Sequence, residues 1–286
     1  MKLKDLAGDT KPKPQPQKTA PFQAEMGIKT FTAARMMVID FPKPFVDEMN
    51  EYIDNTIIPN DEDYSHSLVG QIRQNEKSKQ LNFSLEGNEY VEQLKKVLDN
   101  CGSTFVQKGY KRESVATSFE AWTVHSYAGD YNPLHDHGVK TPGGLSMIIY
   151  LQVPKCISDL PSPDDDGSIY FNDVSGHVDG FTYFNWSNLN KADIRTLYRA
   201  GEEYVKPKVG TLLIFPNWMK HAVMPFFGEG ERRTFSANCN LYAPEMLGTK
   251  FTDMPEEKQN QIKGMFKSNS YRYGGGGGGL GKSKSE

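Results

Sequence analysis

A mainly β domain with helical support (α+β) is predicted by three features of the 286-residue sequence. Two apolar stripes recur at helical spacing before residue 110. The apolar period then switches from 3.6 to 2 after Lys111, and strand-length runs follow one another between Gly, Pro, Asn and Asp as far as Leu241. By length the chain suits about two domains, but β sandwiches and barrels of roughly 200–250 residues often form one. The predicted organisation is a flexible leader over 1–24, then a strand and helices supporting the core over 25–110. The β core follows over 111–245 with an insertion at 173–206, then a C-terminal helix within 246–272 and a Gly-rich tail over 273–286.

The leader carries KPKPQPQ at 11–17, too rich in Pro and Lys to repay the entropy of ordering. Arg35–Phe41 reads as a strand, and Pro44–Ile58 has apolar residues at helical spacing. A second helix over Asn88–Lys108 places Val91, Leu94, Val97 and Leu98 on one buried stripe. The strands expected next are Ser118–Tyr127, Leu145–Gln152, Ser168–Asn172, Gly210–Phe215 and Arg232–Leu241. Asp173–Lys206 is long, aromatic (Phe181, Tyr183, Phe184, Trp186) and helical near Asp193–Tyr198, so it reads as an insertion of the kind that forms lids. Pro255–Phe266 suits a short closing helix with acidic residues in its first turn. The six glycines Gly274–Gly279 begin a tail with no packing value.

Composition narrows the function classes. The longest apolar stretch, Leu145–Val153, is interrupted by Ser146 and Gln152 and is far shorter than the ~18 residues a spanning helix needs, so no membrane partner is expected. The first twenty residues lack the apolar run of a secretory signal. Three widely spaced cysteines, Cys101, Cys156 and Cys239, argue for reduced thiols and against a disulfide framework, which predicts a cytoplasmic protein. The net charge of −3 divides into +3 on each of the segments 1–20 and 265–286 and −9 on the body between them. An acidic body is a poor surface for phosphates, so duplex nucleic acid is not an expected partner.

The densest chemical signal is Asn132-Pro-Leu-His135-Asp136-His137-Gly138 at the edge of a strand. In extended chain, residues two apart share a face, so His135 and His137 can converge on one ion while Asp136 points away. A third histidine, His221, follows the apolar strand that ends at Pro216 and a polar turn. Neutral imidazole is a good iron ligand, and three on one face leave three positions open. Eleven residues later the strand RRTFSANCNLY puts Arg232, Thr234, Ser236, Asn238 and Asn240 on one face and Arg233, Phe235, Ala237, Cys239 and Leu241 on the other. A buried polar face needs a ligand to satisfy it. The Arg232 guanidinium is a natural partner for a carboxylate, with Thr234 able to donate to the same group. Arg233, facing the other way, reads as half of a surface salt bridge. Trp122, Tyr131 and Trp218 flank these motifs as pocket walls or core, and His66, His125 and His177 read as structural or exposed.

With these residues in order, the sequence resembles the iron(II)/2-oxoglutarate-dependent oxygenases, in particular those common in phage and bacterial genomes. The elements of that pattern read Ala121-Trp122, His135-Asp136-His137, Leu145-Ser146 to Tyr150-Leu151, Gly210 to Pro216, His221 and Arg232-Arg233-Thr234, covering about residues 115–242. The resemblance implies a double-stranded β-helix, or jelly-roll, core and a host-cytoplasmic location if phage-encoded. It implies Fe(II) on His135, His137 and His221, with 2-oxoglutarate chelating the metal and its far carboxylate on Arg232. O2 would then convert the co-substrate to succinate and CO2 with hydroxylation of a peptide, amino acid or small metabolite. A tyrosine near Tyr150 binds the co-substrate's carboxylate in related enzymes; a core role is the other reading of Tyr150. The wider superfamily has His-x-Asp where this chain has His137, so the site carries one more positive unit. Asp136 becomes the carboxylate ligand if the strand bulges there. Two other functions stay open: a three-histidine thiol dioxygenase needing no co-substrate, and a non-catalytic jelly-roll binding or virion protein.

Overall fold

The computed structural model describes residues 34–70, 76–138, 144–162, 177–186, 201–242, 255–257 and 259–260. β1 (Met37–Asp40) leads into α1 (Lys43–Tyr52), a wide π-type turn over Ile53–Ile57 and the single turn α2 (Ile58–Asn60). The sequence predicts one helix over 44–58, and Pro59 explains the departure. A proline ring clashes with the carbonyl four residues back and offers no N–H, and a widened turn before it relieves both problems. After β2 (Lys79–Asn82) comes α3 (Glu89–Tyr110), capped by the Asn88 side chain, which accepts from Val91 N at 3.0 Å. Glycine at 102 lets α3 press onto the sheet, because a Cβ there would lie 2.7 Å from the Ala116 Cβ.

The remaining elements are β3 (Val115–Ser126), β4 (Asn132–His135), β5 (Gly144–Gln152), α4 (Lys155–Ser158), β6 (Thr182–Asn185), β7 (Glu202–Val205), β8 (Thr211–Pro216), β9 (Lys220–Val223) and β10 (Arg232–Tyr242). They form a six-stranded sheet ordered β1-β8-β5-β10-β3-β2 and a four-stranded sheet ordered β4-β9-β6-β7. Every ladder among the described residues is antiparallel. This is the expected mainly β jelly-roll architecture with helices behind it.

Period-2 alternation assigns the two faces of the larger sheet. Leu145, Met147, Ile149 and Leu151 of β5 and Phe235, Ala237 and Cys239 of β10 join Val46, Met49, Ile53, Leu94, Leu98 and Phe105 of the helical layer in the main core. Each buried Val, Leu, Ile, Met or Phe among them contributes roughly 1.5–3 kcal/mol by leaving water. On the opposite face Ile148, Tyr150, Leu213 and Phe215 pack with Phe184 of β6 and Met219, tying the two sheets together. The polar half of β10 lies on this inner side.

Three further expectations change. The segment predicted as an insertion, 173–206, supplies at its described ends two strands of the smaller sheet, β6 and β7, with Phe181 and Phe184 fully buried. Four-residue strands give too short an alternation to read as such. Arg233 is not on the surface: it is 4% exposed, because α1 and the π turn cover it with Asn50 and Asp54. β4 ends at His135, so His137 is placed by a turn rather than by strand alternation. The leader, the strand over 168–172, the helical stretch near 193–198 and the tail lie outside the described residues. Residues 256–257 and 259–260 are helical within the expected C-terminal helix. No described helix is long and apolar enough to cross a membrane.

Candidate active site

Two sheet ladders bring the histidines together. β4 pairs with β9 so that His135 lies opposite His221. His137, just beyond β4, is fixed by its own backbone, whose N–H donates to the Asn217 carbonyl in the β8–β9 turn at 2.8 Å. One ring nitrogen from each of the three lies within 4.8 Å of the others. The ring centroids are 4.3 Å apart for His135 and His221, 5.1 Å for His137 and His221, and 5.4 Å for His135 and His137. Asp136 is exposed and its carboxylate accepts from the Gly138 N–H, outside this group.

Hydrogen bonds fix which nitrogen of each ring is free. His135 Nδ1 is 2.7 Å from the Pro133 carbonyl, and His221 Nδ1 is 3.2 Å from that of Met219. A carbonyl only accepts, so both Nδ1 atoms carry the proton and both Nε2 lone pairs remain available. Burial lowers the pKa of His135, and it lowers that of His221 well below its usual value, with His135 and His137 adding to the shift. Both rings are therefore neutral near pH 7. Neutral imidazole is a good ligand for a ferrous ion. Two nitrogens about 2.1 Å from one ion span at most about 4.2 Å, so small ring rotations from the present spacing would close the cluster on a metal.

Arg232 lies in the same cavity, 2% exposed. Its Nε donates to the Gly180 carbonyl at 3.0 Å and an Nη to Thr182 Oγ1 at 3.1 Å, while its guanidinium sits 5.4 Å from the Tyr150 ring centroid. No carboxylate among the described residues pairs with it. Burial pulls its pKa down, offset in part by Tyr150. Tyr150 is fully buried, with its hydroxyl 2.7 Å from Thr182 Oγ1, and burial raises its pKa. Thr182 thus links the two residues, a role that nothing in its sequence context signals.

The cavity has a volume of about 50 Å³. Thr234 and Ser236 line it beside Arg232, as strand parity predicts, together with Gln80, Trp122 and Tyr131. Trp218 is 44% exposed and is not among the lining residues. His125 is structural, its ring between Thr123 Oγ1 at 2.9 Å and Glu231 at 2.7 Å.

Comparison with known proteins agrees with this chemistry. Residues 120–238 match the model of the family described as "Putative 2OG-Fe(II) oxygenase". No curated protein matches the chain. Among solved structures, a Pseudomonas putida prolyl-4-hydroxylase is similar at 12% identity and a TM-score of 0.42, over 71% of this chain and 91% of that one. A viral collagen prolyl hydroxylase from Paramecium bursaria chlorella virus-1, in a 2-oxoglutarate complex, is similar at 16% identity and 0.40, over 72% and 96%. HygX from Streptomyces hygroscopicus, with nickel and 2-oxoglutarate bound, is similar at 11% and 0.45, over 72% and 82%. With TM-scores below 0.5, these likenesses carry no inference about chemistry. The family match includes Trp122, all three histidines and Arg232. Residues 120–238 thus match a family whose members work with Fe(II), 2-oxoglutarate and O2.

Proposed function

We propose that the protein couples oxidative decarboxylation of 2-oxoglutarate to hydroxylation of a peptide, amino acid or other small metabolite, with Fe(II) on His135, His137 and His221. The observation that carries this is the buried Arg232 guanidinium with no acidic partner among the described residues, in one cavity with three imidazoles. A buried cation is costly unless an anion meets it. A dicarboxylate whose keto-acid end reaches the histidines and whose far carboxylate reaches Arg232 satisfies both groups at once.

When bound, Fe(II) supplies O2 activation, so that 2-oxoglutarate, O2 and a substrate C–H become succinate, CO2 and a C–OH. The chain's own residues bind and orient. His135 and His221 present fixed Nε2 lone pairs, because backbone carbonyls hold their Nδ1 protons. Arg232 receives the far carboxylate, steadied by Gly180 and Thr182, and Thr234 beside it offers a hydroxyl. Tyr150 holds its hydroxyl on Thr182 and its ring against Arg232, which supports the guanidinium from behind. Trp122, Tyr131 and Gln80 line the same cavity and could contact a substrate there.

The test is succinate formation by purified protein with Fe(II), 2-oxoglutarate and O2. Arg232→Lys keeps the charge but loses the fork, and losing a charged hydrogen bond at about 1.5–3 kcal/mol should raise the 2-oxoglutarate KM roughly 10–100-fold. His221→Ala should lose stoichiometric iron. Iron retained in His221→Ala, or turnover indifferent to 2-oxoglutarate and to Arg232, would overturn the proposal; indifference to the co-substrate with cysteine oxidation would point to a thiol dioxygenase.

A further inference from the structure

The three histidines are not held alike. Two have their Nδ1 protons on backbone carbonyls two residues upstream, Pro133 and Met219. The ring of His137 is held instead by side chains: its Nδ1 is 2.9 Å from Asn238 Oδ1 and 3.1 Å from Ser146 Oγ. Asn238 is fully buried, and its Nδ2 donates to Glu120 Oε1 at 2.5 Å. Glu120 also accepts from the Tyr64 hydroxyl through Oε2 at 2.8 Å. Tyr64 stacks on Trp122 at 5.7 Å, and Trp122 in turn lies 5.8 Å from the His137 ring.

The chain of donors has one consistent direction. A carboxylate only accepts, so the Asn238 amide must turn its Nδ2 toward Glu120. Its Oδ1 then faces His137, which must carry its proton on Nδ1. Ser146 Oγ also donates to that Oδ1, at 3.0 Å. His137 is thereby left with a free Nε2 lone pair. The sheet register builds this arrangement, since Asn238 lies opposite Glu120 on one side and Ser146 on the other, a single row across β3, β10 and β5.

We propose that Asn238 and Glu120 are positioning residues for His137, fixing its tautomer and setting a carboxylate one amide away from the metal position. This rests on the three histidines holding the metal. A residue that accepts from the outer nitrogen of a ligating histidine raises its basicity and fixes its ring. Here the anion sits behind the one histidine whose hold comes from side chains, in a donor set without a carboxylate of its own. Electrostatic influence passes through the amide dipole, whose oxygen end faces the imidazole N–H.

The test is Co(II) binding to the metal-free protein, read by titration and by the visible d–d absorption, with no turnover required. Asn238→Leu should weaken Co(II) binding about 10–100-fold. Glu120→Gln keeps an acceptor for Asn238 but removes the charge, and because Glu120 is half-buried this variant remains informative if Asn238→Leu fails to fold. It should weaken binding several-fold. The double variant E120Q/N238D moves the carboxylate onto His137 itself and should restore wild-type affinity or exceed it, which a merely structural role would not do. Affinities of both single variants within twofold of wild type, or no rescue by the double variant, would overturn the inference. Wild-type protein that takes up no Co(II) would instead remove the metal reading, and the inference with it.

Discussion

Arg232 and Arg233 are adjacent on β10, both buried, and treated in opposite ways. Arg233 faces the helical layer and meets two carboxylates, Glu231 at 2.8 Å and Asp54 at 2.8 Å, with Asn50 Oδ1 at 3.0 Å. Arg232 faces the cavity and finds a carbonyl and a hydroxyl. The fold therefore pairs a buried guanidinium fully where the pairing is structural. Among the described residues it leaves one without an anion only at the candidate site. Natural proteins commonly give up stability at a functional site in this way.

The largest effect that would break this contrast is on the Arg233 side. Arg233→Met leaves the half-buried Glu231 carboxylate with His125 but without its guanidinium, and the loss of a charged hydrogen bond costs about 1.5–3 kcal/mol. Urea unfolding should show that loss, and a change under 1 kcal/mol would mean that the pair is decorative. Arg232→Met instead removes a buried charge that meets no carboxylate among the described residues, so the ligand-free protein should lose little or no stability. The same variant should lose any upward shift of Tm that 2-oxoglutarate gives with a redox-inert metal. A strong destabilisation by Arg232→Met would place Arg232 with Arg233 as a structural residue.

Much of this contrast was legible in the sequence, because strand parity alone sends positions 232 and 233 to opposite faces. The alternation of polar and apolar residues over RRTFSANCNLY is long enough to be unambiguous, as are the stripes that became α1 and α3. The His-x-His pair and distal His221 were equally visible, since motif spacing survives without knowledge of pairing. Partners were not visible. Asp54 and Asn50 come to Arg233 from about 180 residues away, so its burial could not be read from its own neighbours. Glu120 reaches Asn238 through a ladder whose register slips between Asn238 and Cys239, and such an irregularity leaves no mark in composition. Thr182 sits in a four-residue strand inside a segment that reads as a loop. Long periodic elements declare themselves, whereas contacts set by register and short strands do not.

The smallest effect concerns the acid behaviour of the Arg233 side. Burial by itself would raise the pKa of Glu231, but its hydrogen bonds to His125 and Arg233 outweigh that and hold it at about 2. The unfolded value is near 4.5. A carboxylate whose pKa is depressed on folding contributes stability that is fully present above the unfolded value. That contribution is lost as pH falls from about 4.5 through about 2, where the folded protein is finally protonated. Between pH 5 and 3 the folded protein should lose on the order of 1 kcal/mol through this group, beyond what other carboxylates contribute. Arg233→Met removes one of the groups that holds the pKa down, so the variant should show a shallower acid dependence as well as lower stability at pH 7. Arg232→Met should leave the slope as it is, because Glu231 makes no contact with that guanidinium. Equal slopes for wild type and Arg233→Met would show that His125 alone sets the Glu231 pKa.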